Sequence, residues 1–417
     1  MTLLIKSATL IDPGQPALHG KKRDLLIEKG RIKSIGRALD PGRGTRVIKG
    51  KNLHVSPGWL DTGVSFGEPG YEERETIAHG LQVAAGAGFT GIVLNTNTQP
   101  TPDTSGDIVF LKEASRGSTA ELFPLGTVSV RARGGDLSEM YDMHGAGAVG
   151  FSDYKNPIQN PNLLKLALLY TQNFGGLVHS FPLQAELAPH GQIHEGDVSV
   201  RLGLKGIPGL AEELRVGRDL ALLEYTGGKL HIPTVSMAAS VRQIETAKKK
   251  GLDVTCSVAI HHLWHTDAAL EGFESCYKVM PPLRDLKNQK YLRKALKDGV
   301  IDFVTSDHCP LDVEQKRLEF DQAAFGATGL EETFGILNQI YGPHISAEIL
   351  GRGRQRFGLE EATLEEGRRA VLTLFDPDTE YVLSESDLES RSKNSMFLGI
   401  PMKGKAIGVV VGEKSNL

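Results

Sequence analysis

The chain has few cysteines and no excess charge of either sign. Only Cys256, Cys276 and Cys309 are present among 417 residues, an odd number spaced too widely for a paired zinc motif. Lysine and arginine total 47, and aspartate and glutamate total 51, so the formal net charge is −4. This balance gives no basic surface for nucleic acid. The composition therefore predicts a reduced, cytoplasmic compartment and no nucleic-acid partner.

Long hydrophobic runs are also lacking. No stretch approaches the roughly 18–20 consecutive apolar residues that a membrane helix needs, and the first residues do not have the pattern of a signal peptide. Aromatic residues make up only 6% of the chain, but 40% of its residues are hydrophobic. That share is enough to bury a sizeable core, so we expect a globular protein with no membrane association.

The two ends of the chain have similar strand-like patterns. In residues 3–11 and 24–35, apolar and polar residues alternate as in short strands with one solvent-exposed face. Residues 371–417 show the same alternation. Each end alone is too short to bury a core. We therefore predict that residues 1–52 and 351–417 form the two parts of one small β-sandwich domain.

The middle of the chain, residues 53–350, alternates short apolar runs with helical patterns and glycine-bearing loops. Eight βα units over this length predict a (β/α)8 TIM barrel, with a doubly wound sheet as the alternative. In a barrel, functional residues lie in the loops that follow the strands. The eight strand candidates are residues 55–66, 90–95, 122–130, 148–153, 176–180, 229–236, 253–262 and 302–307.

A series of short motifs runs in order along nearly the whole chain. They are residues 57–61 (PGWLD), 68–70 (EPG), 97–98 (NT), 206–208 (GIP), 281–284 (PPLR), 305–308 (TSDH), 329–333 (GLEET) and 393–395 (KNS). In this order they resemble the motifs of dihydroorotase, in the cyclic-amidohydrolase branch of the amidohydrolase superfamily. The resemblance implies a (β/α)8 barrel with a small β domain from both chain ends, in agreement with the pattern above.

The resemblance also implies a metal-dependent chemistry. In this family two zinc ions activate a water molecule and polarise the amide carbonyl, and an aspartate moves the proton. Asp307 matches the position of that base, Asp153 matches the bridging acidic ligand, and His179 matches one zinc-binding histidine. These three residues are the residual candidates for metal ligands.

Other expected ligands are replaced. The His-x-His pair of the first strand is Gly63 and Ser65 here, and the histidine of the sixth strand is Thr234. Glycine has no ligating side chain, and a neutral hydroxyl is a poor zinc ligand. We therefore expect no resident cofactor, or at most one weakly bound divalent ion such as zinc.

The family's substrate contacts are largely replaced as well. The arginine that clamps the substrate carboxylate is Gly67 here, and two further contact positions are Met280 and Leu311. Asn97 is the only family contact that is retained. Losing an arginine–carboxylate pair by itself removes several kcal/mol of recognition.

These replacements lead to one expectation and two alternatives. The expectation is a catalytically inactive dihydroorotase-like protein of the pyrimidine-biosynthesis context, acting as a structural partner of aspartate transcarbamoylase or as a homo-oligomer. The first alternative is an active dihydroorotase with a reduced or rearranged metal site. The second is another amidohydrolase-type enzyme or a small-molecule binder, whose pocket Phe66, Met280 and Leu311 would make apolar.

Overall fold

The computed structural model describes residues 2–417, in which short strands alternate with helices along most of the chain. The strands are β1 (Thr2–Leu10), β2 (Lys22–Glu28), β3 (Arg31–Gly36), β4 (Arg46–Ile48), β5 (His54–Pro57), β6 (Trp59–Val64), β7 (Phe89–Leu94), β8 (Glu121–Pro124), β9 (Leu177–His179), β10 (Ile193–His194), β11 (Gly206–Ile207), β12 (Lys229–Ile232), β13 (Val254–Ala259), β14 (Phe303–Thr305), β15 (Val371–Val382), β16 (Pro401–Val411) and β17 (Lys414–Ser415).

Five of the helices, α1, α2, α4, α9 and α10, begin after a residue whose side chain accepts a hydrogen bond from a free backbone N–H group. Thr104 and Asp107 form a capping box at the start of α2, and Asp285 accepts a hydrogen bond from the backbone of Asn288 in α9. The helices are α1 (Ile77–Gly86), α2 (Ser105–Ala114), α3 (Met140–Ala146), α4 (Pro161–Thr171), α5 (Asp197–Leu202), α6 (Gly209–Thr226), α7 (Ala238–Lys249), α8 (Ile260–Trp264), α9 (Leu286–Lys297), α10 (Val313–Lys316), α11 (Thr333–Tyr341) and α12 (Pro343–Gly351).

A parallel barrel forms the middle of the molecule. Strands β6, β7 and β8 make one run, and β9, β12, β13 and β14 make the other. Phe151 joins the two runs through parallel bridges to Gly126 and Val178, so it stands at the place of the fourth strand. The barrel closes where the backbone N–H of Ser65 donates to the carbonyl of His308 at 2.8 Å. The predicted (β/α)8 barrel is confirmed.

The barrel strands are buried on both faces, as is usual for parallel sheets covered by helices. Every residue of β7, with the sequence FTGIVL, is buried. This explains why the barrel strands read in the sequence as short continuous apolar runs and not as alternating patterns.

Both ends of the chain form one mixed sheet beside the barrel. Its order is β17-β16-β15-β5-β1-β2-β3, and β4 pairs in parallel with the first half of β1. In this sheet β5 pairs with β15, and Pro57 lies opposite Leu372. The small β domain built from both chain ends is therefore present. Trp59 packs against Phe334 and Phe375 at the junction with the barrel.

Among residues 2–417, no helix combines the length and the apolar character needed to cross a bilayer. The three cysteines are unpaired, and the side chains of Cys256 and Cys309 are buried.

Candidate active site at the barrel mouth

A small polar cavity lies where the barrel strands end. Its volume is about 30 Å³, which is roughly the space of one water molecule. The lining residues come from seven of the eight strand positions, either from the last part of the strand or from the loop that follows it. They are Thr62, Gly63, Asn95, Ser152, Tyr154, Lys155, His179, Phe181, Pro233, Thr234, Ser257, Thr305 and Asp307.

Asp307 is paired with a lysine in this cavity. Lys155 Nζ lies 2.8 Å from Asp307 Oδ2, and their side chains are only 14% and 5% exposed. Burial raises the pKa of the Asp307 carboxyl, and the Lys155 ammonium opposes that rise. Asp307 also has a left-handed backbone conformation, with φ of 49°, which is uncommon outside glycine. The candidate base is thus brought to the mouth together with a cation that the sequence analysis missed.

Asp153 lies between Ser152 and Tyr154, which line this cavity, but is not itself a lining residue. Its carboxylate accepts hydrogen bonds from the backbone N–H groups of Val128 and Ser129 at 2.9 and 3.0 Å, and from the Ser129 hydroxyl. Burial raises the pKa of Asp153, and these donors oppose the rise. Both of its oxygens are therefore engaged by donors of the loop after β8.

His179 lines the cavity as a neutral imidazole. Its Nε2 atom is buried without a hydrogen-bond partner, and its ring packs against His231 with 4.8 Å between the centroids. Burial, aided by the nearby Arg356, lowers the pKa of His179 to about 3. A neutral imidazole with a free nitrogen can serve as a hydrogen-bonding group for a small polar species.

The positions of the missing histidines are filled by other contacts. Ser65 Oγ accepts a hydrogen bond from Asn95 at 3.2 Å and is hydrogen-bonded to the Tyr154 phenol. The Thr234 hydroxyl is buried without a partner, and its backbone is left-handed, with φ of 50°. A Cβ at Gly63 would approach Thr305 Oγ1 to 3.1 Å, so a larger residue there requires a local shift.

Tyr154 occupies the same region of the mouth. Its phenol is hydrogen-bonded to Ser65 and to Cys309, and burial is the main cause that raises its pKa well above 10. The backbone at Tyr154 is left-handed, with φ of 55°. The segment carrying Tyr154 and Lys155 therefore fills the mouth with a phenol and an ammonium group.

The residues present do not fit a pair of zinc ions. Within residues 2–417, no group of three or more histidine, cysteine, aspartate or glutamate side chains is arranged to hold a metal. Of the three residual candidates, Asp153 is engaged by the 128–129 backbone, Asp307 is paired with Lys155, and His179 is left alone at the cavity wall. The structure does not bring them together as one ligand set.

The predicted substrate contacts lie outside this cavity. Asn97 Oδ1 is buried without a partner, but Asn97 does not line the cavity. The side chain of Phe66 packs against Gly80, and Leu311 lies close to Gly326. Together with Met280, these residues do not form an apolar wall of the small cavity.

A larger cavity of about 620 Å³ opens at the opposite end of the barrel. Its wall includes Pro57, Lys229, Asp253 and Phe303, which lie at or before the amino ends of barrel strands. Barrel enzymes carry their chemistry at the carboxyl ends, so we assign the candidate site to the smaller cavity.

Comparison with known proteins gives consistent matches. A family model described as "Dihydro-orotase-like" matches residues 52–240. A dihydroorotase of Pelotomaculum thermopropionicum is 37% identical over 99% of this chain and 97% of that relative. A dihydroorotase of Geobacter metallireducens is 36% identical over 99% of both chains.

Solved structures match the whole fold at lower identity. An L-hydantoinase (dihydropyrimidinase) from Arthrobacter aurescens superposes with a TM-score of 0.86 at 23% identity, over 100% of this chain and 96% of that chain. A dihydropyrimidinase from Brevibacillus agri gives a TM-score of 0.83 at 23% identity, over 100% of this chain and 95% of that chain. At this identity the likeness concerns the fold alone.

The expectation of a catalytically inactive assembly protein is wrong. It is overturned by relatives that carry the name dihydroorotase and match nearly the full chain at 35–37% identity. The expectation relied on the replacements at Gly63, Ser65 and Thr234, which remove ligands for two metals. Although these ligands are lost, reactive groups remain at the barrel mouth, because Asp307 and Lys155 place a carboxylate and an ammonium group there.

Proposed function

This chain belongs to the dihydroorotase-like family, and on that basis we propose that it is an active dihydroorotase. The proposed reaction is hydrolysis of the cyclic amide of dihydroorotate, in the context of pyrimidine biosynthesis. The observation that carries the proposal is the 37% identity over 99% of the chain to a dihydroorotase. Because the match spans both the barrel and the terminal sheet, it supports a shared activity more strongly than a likeness of fold would.

The residues at the mouth supply two groups that this reaction needs. Asp307 is the carboxylate that takes a proton as water adds to the carbonyl carbon of the ring amide. When the C–N bond breaks, that proton passes to the leaving nitrogen. The Lys155 ammonium, 2.8 Å from Asp307, is the cation that stabilises negative charge on the carbonyl oxygen. No step here runs through a metal, because the residues present do not fit the two-zinc set.

Substrate entry requires the mouth to open. A cavity of about 30 Å³ holds roughly one water molecule, so a six-membered ring with its carboxylate does not fit beside Tyr154 and Lys155. These two neighbours lie on the segment between the fourth strand position and α4, which is the part of the mouth that must move. Motions of active-site loops of this kind commonly accompany substrate binding.

Turnover by the purified chain tests the proposal. The wild-type protein is assayed with dihydroorotate as purified and after dialysis against a chelator, and we expect measurable ring opening in both. Asp307→Asn is expected to lose at least about a hundredfold in rate, because general acid–base catalysis is typically worth that much. Asp136→Asn, an exposed residue, is the matched control and should keep the wild-type rate. Absence of turnover in wild-type protein with a native unfolding transition would refute the proposal.

Two expectations about the cellular setting stay predictions. Association with aspartate transcarbamoylase, or with a second copy of this chain, is compatible with an active enzyme and is checked by co-purification from the native cell and by the mass of the isolated species. A cytoplasmic location is supported by three unpaired cysteines, since reduced thiols are typical of that compartment. Cell fractionation checks it.

A further inference from the structure

The charged groups that line the mouth form a single ion pair. Lys155 and Asp307 are the charged members of the lining set, and they contact each other at 2.8 Å. His179, the remaining ionisable wall residue apart from the Tyr154 phenol, is buried, and its Nε2 atom has no hydrogen-bond partner. The cavity therefore holds one positive and one negative charge and needs no further ion for balance.

Neighbouring carboxylates are engaged by protein donors. Asp153 accepts from Val128 and Ser129. Asp61, which lies under the mouth, accepts from the Thr305 hydroxyl at 2.6 Å and from the backbone N–H of Ser306 at 2.9 Å. Neither is free to join Asp307 around a cation, because taking their oxygens would leave buried N–H and O–H groups without acceptors.

We propose that the Lys155 ammonium is the resident cation of this barrel mouth, and that its contact with Asp307 excludes a divalent metal from that carboxylate. A metal at Asp307 would have to displace the ammonium from a side chain that is only 5% exposed. An ammonium group left unpaired and largely buried nearby is unfavourable, and zinc would gain too few ligands to offset that cost. The ion pair describes the mouth without substrate, so it does not depend on the outcome of the turnover assay proposed above.

Metal content is the first test. Protein purified without chelators should contain well below one zinc, manganese or other divalent ion per chain by inductively coupled plasma mass spectrometry. Adding excess zinc chloride should leave the Tm of the wild-type chain unchanged, because a ligand that does not bind the folded state cannot stabilise it. One or two tightly held metal ions per chain would overturn the inference.

A double-mutant cycle on the ion pair is the second test. Lys155→Met leaves the Asp307 carboxylate buried and unpaired, and the Tm should fall by roughly 3–6 °C. Asp307→Asn leaves the ammonium unpaired and should also lower the Tm. The double variant Lys155→Met with Asp307→Asn carries no charge at the mouth and should recover more than half of the loss, because neutral pairs tolerate burial.

A Lys155→Met variant as stable as wild type, or a double variant whose loss equals the sum of the two single losses, would show that the pair is not coupled and would overturn the inference. If Lys155→Met does not fold, folding of the double variant gives the same support as recovery of Tm. Both tests are made without substrate, so their failure is distinguishable from a failure of the proposed dihydroorotase activity.

Discussion

The carbonyl oxygen of Tyr71 occupies the space that any side chain at Gly67 would need. A Cβ built at Gly67 would lie 1.7 Å from Tyr71 O. The turn is held by two backbone hydrogen bonds, from Tyr71 N to Gly67 O and from Gly67 N to Glu75 O, both 2.9 Å. Glycine at this position is therefore required by the local backbone, and an arginine cannot be restored there without rebuilding the turn.

Substituting Gly67 should accordingly destabilise the fold. We expect Gly67→Ala to lower the free energy of unfolding by about 3 kcal/mol, at the upper end of the cost of forcing an extra group into packed structure. Urea denaturation measures this value. Gly135→Ala is the matched control, since a Cβ at Gly135 meets nothing within 4 Å. Equal stability of the two variants would contradict the steric argument.

Asp61 should be a second sensitive position, because it joins the first and last barrel strands. Its side chain is 1% exposed and accepts from Thr305, Ser306 and Gly63. Asp61→Asn turns one acceptor into an NH2 donor that faces existing donors, so we expect a loss of about 2–4 kcal/mol in unfolding free energy. Asp136→Asn, an exposed aspartate, should change stability little in the same urea experiment. A small loss at Asp61 would mean that the barrel closes without this contact.

The barrel could be predicted because its strands leave a strong local signal. A strand such as β7 is apolar at nearly every position, since parallel barrel strands are covered on both faces. The loops between strands and helices contain glycines, and their regular spacing marks the length of each βα unit. The fourth strand is reduced to the parallel bridges that Phe151 makes with Gly126 and Val178, yet the repeat of its neighbours was enough to place it.

The candidate site could be predicted only in part, because a residue's position does not fix where its side chain points. Asp307, Asp153 and His179 follow strands as expected, but the direction of Asp153 depends on the backbone donors of Val128 and Ser129. Lys155 contacts Asp307 across 152 residues of sequence, and such a pair leaves no local pattern. The available signal was a lysine two residues after a candidate ligand at the end of a barrel strand.

Glu331 should make the protein less stable as pH rises toward neutrality. Burial, with Glu332 and Glu389 nearby, raises its pKa to about 7 in the folded chain, against 4.5 for an ordinary glutamate. Between about pH 4.5 and 7 the unfolded chain has released this proton and the folded chain still holds it, so stability falls as pH rises. Glu331→Gln removes this cost.

We expect Glu331→Gln to be about 1–3 kcal/mol more stable than wild type at pH 8 and nearly equal to it at pH 4. Unfolding in urea at both pH values checks this. Glu319→Gln, at an exposed position, should show no such pH-dependent gain. A gain of the same size at pH 4 would mean that packing, and not the proton, is responsible.

Three buried histidines should act in the opposite direction and make the fold sensitive to acid. His179, His262 and His308 are at most 4% exposed, and burial lowers the pKa of each from 6.5 to about 3. Below pH 6.5 these histidines bind protons in the unfolded chain but not in the folded chain. Their contribution to the free energy of unfolding is therefore complete above that pH and is lost as pH falls. At pH 5.5 each histidine should cost about 1.4 kcal/mol, or about 4 kcal/mol together.

The measurement is best made in the Glu331→Gln variant, because wild-type Glu331 releases a proton on unfolding and would offset part of the uptake by the histidines. Calorimetry in buffers of different ionisation enthalpy should show that unfolding at pH 5.5 takes up nearly three protons through these histidines. His308→Asn should lower the uptake by about one proton. His190→Asn should leave it nearly unchanged, since His190 is exposed and its positive φ of 62° suits asparagine. A proton uptake that His308→Asn does not reduce would mean that this ring is already charged in the folded chain.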